Sequence, residues 1–83
     1  MIREYTAGLA AQMEIKLSRV SIIDGKLLGC RDSHLLQIYS DNHMESVLIY
    51  QSELETLQNE IQSDRLETRI RGALTRLKKF LTP

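Results

Sequence analysis

The chain has 83 residues, with 11 Lys/Arg against 11 Asp/Glu and a formal charge of zero. That length fits one domain and buries only about 60–65% of its unfolded surface, while 42% apolar residues suffice for a core and argue against disorder. No apolar run approaches the ~18 residues of a membrane span, Arg3 and Glu4 precede no leader-like apolar stretch, and the single Cys30 excludes an internal disulfide framework and fits a reducing, cytoplasmic setting.

In chain order, Ile2, Tyr5, Leu9, Met13, Leu17 and Val20 recur at spacings of three and four and predict a helix over 2–17. Residues 14–19 also carry a competing alternation, Ile15 and Leu17 against Lys16 and Ser18, that suits a strand. Val20 to Ile23 then leads into Asp24-Gly25, a signal for a two-residue hairpin. Its return strand is predicted at Lys26–Arg31. Asp32-Ser33 marks the next turn, Leu35–Tyr39 a third strand, Asp41-Asn42-His43 another turn and Ser46–Tyr50 a fourth strand.

After Tyr50 the period changes. Ser52 with Glu55 three residues on has the form of a capping box, and Leu54, Leu57 and Ile61 follow at helical spacing. Asp64 with Glu67 opens a second helical pattern, carried by Leu66, Ile70, Ala73, Leu74, Leu77, Phe80 and Leu81. At about 100° per residue the two apolar stripes point in nearly opposite directions. A break near Gln62-Ser63-Asp64 lets both face one core; an unbroken helix would bridge its own sheet and a partner. The expected fold is therefore α+β in a single small domain over 1–83. An N-terminal helix region (1–19) precedes a four-stranded antiparallel β-meander (20–51) and a C-terminal helical region (52–82) of two helices or one long broken one.

The zero charge is a sum of unlike halves. Residues 1–64 hold five basic and ten acidic side chains; residues 65–83 hold six basic ones (Arg65, Arg69, Arg71, Arg76, Lys78 and Lys79) and the acid Glu67. On a helical wheel these cations flank the leucine stripe on both sides. Three uses compete. The stripe can pack on the sheet or on a twin helix while the cations pair with Glu53, Glu55 and Glu60. It can lie on a membrane surface, although the chain has no Trp. The basic helix can instead meet nucleic acid in the manner of a helix-turn-helix, against which stand zero net charge and few aromatics.

Chemistry-bearing patterns are sparse. His34 and His43, with Cys30 and Asp32 nearby, match no zinc spacing, and Cys30 reads as a small packed thiol. Gly8, Gly25 and Gly29 form no phosphate-binding loop, and no carboxylate pair or triad stands out. No catalytic residue, metal or cofactor is expected, and the chain reads as a non-enzyme.

From Val20 to Leu57, about half the chain, the sequence resembles the Sm-like RNA-binding fold of bacterial RNA chaperones. The resemblance rests on a preceding helix, Asp24-Gly25-Lys26, Gly29, Asp32, a hydrophobic strand and Ile49-Tyr50. Gly25 and Gly29 are closer than in that pattern, Gln51-Ser52 replaces its basic pair, and a capped helix stands where it has a fifth strand. The resemblance implies RNA binding as the alternative function. The main expectation is a protein-interaction or regulatory module that self-associates, as a two-fold dimer, through a sheet edge and the C-terminal helix. Leu66, Ile70, Leu74, Leu77, Phe80 and Leu81 would form its seam, and Arg65, Arg69, Arg71, Arg76, Lys78 and Lys79 would select the partner.

Overall fold

A computed structural model describes residues 2–25, 29, 32–59 and 64–81. The elements are α1 (Ile2–Gln12), β1 (Arg19–Asp24), β2 (Ser33–Ser40), β3 (His43–Tyr50), α2 (Gln51–Gln58) and α3 (Asp64–Leu81). The strands make one antiparallel sheet in the order β1-β2-β3. The class is α+β, with three described strands in place of the expected four.

The difference begins at Asp24-Gly25. A tight two-residue hairpin there needs positive φ at both positions. Among the described residues, positive φ occurs at Glu14, Gly29 and Asp41. Ile23 pairs with Leu35 and Asp24 with His34, so β1 joins the strand that the sequence places third. The expected return strand Lys26–Arg31 lies outside the described residues except for Gly29, whose φ of 81° suits a turn. Asp41, at φ 53°, sits in the tight connection between β2 and β3.

α1 ends at Gln12, short of the predicted Leu17, because the chain closes on itself there. The Glu14 N–H donates to Ala11 O (3.1 Å) and the Ile15 N–H to Ala10 O (2.9 Å), with Glu14 at φ 60°. This Schellman pair satisfies carbonyls the helix would leave open, and Ile15 drops into the core. The linker is then tied to the sheet: Ser40 Oγ donates to Lys16 O at 2.7 Å. Neither helix nor strand therefore covers 15–18.

Paired residues across strands share a face of the sheet. One face carries Val20, Ile22, Leu36, Ile38, Val47 and Ile49, and the helices cover it. Leu36, Ile38, Val47 and Ile49 are buried together with Leu66, Ile70, Ala73, Leu74 and Leu77 of α3 and Ile2, Leu9 and Ala10 of α1. Leu54 and Leu57 of α2 pack against this same core. Leu54 and Leu57 thus reach the same core as the α3 stripe from a separate helix, while Ile61 and the expected break at Gln62-Ser63 lie outside the described residues; α2 starts one residue after the sheet ends. That direct passage leaves no fifth strand of the Sm-like type after Tyr50. The cap at this junction is set two residues earlier than Ser52 and Glu55 suggest: the Tyr50 N–H donates to Glu53 Oε1 at 2.9 Å.

Candidate functional site

The opposite face of the sheet is not covered by any described helix. By register it carries Arg19, Ser21 and Ile23 from β1, Ser33, Leu35, Gln37 and Tyr39 from β2, and Met44, Ser46, Leu48 and Tyr50 from β3. The rows run Arg19–Tyr39–Met44, Ser21–Gln37–Ser46 and Ile23–Leu35–Leu48. Of these eleven side chains only Arg19 is charged, in a protein that is 27% charged overall. Met44, Leu48 and Tyr50 are about half exposed, at 46%, 46% and 49%. The polar groups in the middle of the face hold one another: Gln37 Oε1 accepts from Tyr39 Oη (3.1 Å) and Ser21 Oγ (3.4 Å). Guanidinium groups sit over both tyrosines, Arg19 at 5.7 Å from the Tyr39 ring and Arg69 at 5.3 Å from Tyr50.

The expected seam is elsewhere. Leu66, Ile70, Leu74 and Leu77 are 0–1% exposed inside their own domain, where no second copy reaches them. The physical reason is that one sheet face needs a full apolar cover, and the α3 stripe supplies it. The Leu81 side chain lies outside the described residues. Phe80 is 61% exposed and stacks on His43, with centroids 4.9 Å apart.

The cations of α3 divide between its two sides. On one side Arg71 donates to Gln12 Oε1 (2.7 Å) and pairs with Glu67, while Lys78 Nζ donates to Met13 O (3.0 Å). This side ties α3 to the end of α1. On the other, Arg69 pairs with Glu53 and donates to Leu48 O (2.6 Å), and Arg76 pairs with Glu45 (3.3 Å). Arg65 and Lys79 are exposed. The basic helix therefore meets the acidic body of its own chain, through Glu53 as the charge pattern suggests and through Glu45 as well. Tyr5 lies on the α1–α3 side, where burial first and the nearby Glu67 second hold its phenol above the ordinary tyrosine pKa, with Arg71 opposing.

The histidines do not meet. His34 pairs with Ile49 and His43 with Ser40, at opposite ends of the hairpin, roughly 20 Å apart at strand rise. Among the described residues no cluster of His, Cys, Asp and Glu could hold a metal. His34 lies 3.6 Å from Asp24 and 2.5 Å from Gln51 Oε1. An amide acceptor stands where a triad would have its nucleophile, so the group ties β1, β2 and α2 together. A cleft beside the linker is lined by Glu14, Lys16, Ser18, Ser40, Asp41 and Lys78; Ser40 and Lys78 are engaged there on backbone carbonyls.

No described helix is long and apolar enough to cross a membrane. What fold and surface define is a small α+β two-layer domain with one bare sheet face of low charge. Comparison with family models, curated proteins and solved structures finds no match for the chain.

Proposed function

We propose that this protein is a non-enzymatic protein-interaction module that docks a protein partner, and first a second copy of itself, on its uncovered sheet face. The observation that carries the reading is the charge depletion of that face, one formal charge among eleven side chains. Interface centres are poor in charge and rich in Tyr, Met and Arg, and this face has Tyr39, Tyr50, Met44 and Arg19. A face without net opposition of charge stacks on its own copy without like-charge conflict. Its flat footprint is roughly 14 by 24 Å from strand spacing and rise, which is small for a permanent complex. The dimer is therefore reversible and concentration-dependent. The seam shifts from the expected leucines of α3 to Ile23, Leu35, Met44 and Leu48.

Sedimentation velocity tests this over two decades of protein concentration. The wild type is expected to pass from monomer to dimer, and Leu48→Lys to stay monomeric with an unchanged far-UV spectrum. A wild type that remains monomeric throughout, or a Leu48→Lys variant that dimerises as well, contradicts the reading.

A nucleic-acid reading draws on Tyr39 and Tyr50, each with an Arg over its ring, as stacking positions. Against it, four of the six α3 cations, Arg69, Arg71, Arg76 and Lys78, are engaged within the chain. It predicts gel retardation of single-stranded RNA that falls steeply with salt; salt-insensitive dimerisation without retardation supports the protein partner.

A further inference from the structure

The middle row of the bare sheet face has a hydrogen-bonding order of its own. Gln37 Oε1 accepts from Tyr39 Oη at 3.1 Å and from Ser21 Oγ at 3.4 Å. An amide oxygen has two lone pairs, and both are taken. The carboxamide is thereby fixed in orientation and leans from β2 toward β1, where Ser21 stands directly across from Gln37. Its Nε2 carries two N–H donors, which meet no acceptor among the described residues. On the other flank of Gln37 stands Ser46 of β3. Ser46 Oγ donates to Met44 Sδ at 3.3 Å and accepts from no group among the described residues. The row therefore carries a locked donor on its β1 side and an acceptor on its β3 side, and the amide is turned away from the serine of its own copy.

We propose that Gln37 sets the register of self-association: in the dimer, Nε2 of each copy donates to Ser46 Oγ of the other. This rests on the docking of a second copy on the bare face and adds its symmetry. Sheets stacked face to face keep their strands nearly aligned, and a two-fold interface makes each contact twice. With the axis along β2, β1 of one copy lies over β3 of the other, and every row lies over itself in reverse. Ile23 then meets Leu48, and Leu35 meets its own equivalent. Arg19 lies over Met44, so the two guanidinium groups fall on opposite flanks. The Gln37 amide, leaning toward its own β1, comes over Ser46 of the other copy. An axis across the strands fits worse. It lays the Arg19–Tyr39 row over the Ile23–Leu35 row, and it sets the two Gln37 amides donor against donor. A second copy is the occupant that supplies both halves of the match, apolar row to apolar row and amide donor to hydroxyl acceptor.

The test is a double-substitution cycle on the dimer dissociation constant, read by sedimentation, with Gln37→Met and Ser46→Ala. Ser46→Ala is expected to weaken the wild-type dimer by about thirtyfold, from two hydrogen bonds of ordinary strength per dimer. In the Gln37→Met background it should change nothing further. An equal loss in both backgrounds, or no loss in either, overturns the proposal. Leu48→Lys separates the two readings. If it abolishes the dimer while the cycle is additive, the face stands and the Gln37 register falls; a wild type that stays monomeric overturns both. Intermolecular NOEs in a dimer of one isotope-labelled and one unlabelled copy read the contact without any substitution. The Gln37 side-chain amide should meet Ser46 protons of the other copy. Contact with the other copy's Gln37 amide in place of Ser46 would mean the crosswise axis and overturn the proposal.

Discussion

At Glu14 an acidic side chain occupies a backbone position that suits glycine. Its φ of 60° closes α1, and a Cβ in this region costs roughly 1–2 kcal/mol. Glu14→Gly is therefore expected to raise stability by about 1 kcal/mol in urea unfolding; a loss would mean that the Glu14 side chain holds the linker. Tyr5 gives a pH signature. Burial and Glu67 raise its pKa in the fold, so the folded state prefers the neutral phenol. Its contribution is intact below the ordinary value of 10.0 and is lost as pH rises through the folded value. Thermal unfolding of Tyr5→Phe should match wild type at neutral pH and fall less steeply in the alkaline range; parallel curves would remove Tyr5 as the cause.

Among the elements, α3 was the most legible. Its apolar positions repeat along an 18-residue helix, and Leu66, Ile70, Ala73, Leu74 and Leu77 of that stripe are found in the core, while Phe80 at its end is exposed. What periodicity could not settle was the covering partner, since a sheet and a twin helix demand the same stripe. Leu74 is fully buried, and Leu74→Ala should cost about 2–5 kcal/mol through lost transfer energy and the cavity left behind. Urea unfolding checks this; a loss below ~1 kcal/mol would indicate a loosely packed helix. The strands were less legible. Asp24-Gly25 is a strong local hairpin signal, but strand pairing is decided by distant partners, here Leu35 and His34. A strand over Ser46–Tyr50 was visible in the sequence, within the observed His43–Tyr50. Its meaning depended on register, because only pairing with Leu35, Gln37 and Tyr39 assembles Leu48, Ser46 and Met44 into one weakly charged face.

For the molecule as a whole, the opposite charges of its two halves meet in two ion pairs, Glu45 with Arg76 and Glu53 with Arg69, and Glu67 pairs with Arg71 within α3. The sheet then divides the surface by chemistry, with a helical layer rich in charge on one side and a neutral face on the other. Association through the neutral face should change little with added salt, since its contacts are apolar and hydrogen-bonded rather than ionic. The most direct measurement is a dilution series followed by two-dimensional NMR of backbone amides and methyl groups. Concentration-dependent shifts should gather at Ile23, Leu35, Gln37, Tyr39, Met44 and Leu48 and spare α1 and the outer side of α3. Shifts centred on Arg65, Arg76 and Lys79, or a spectrum unchanged by dilution, would contradict the account.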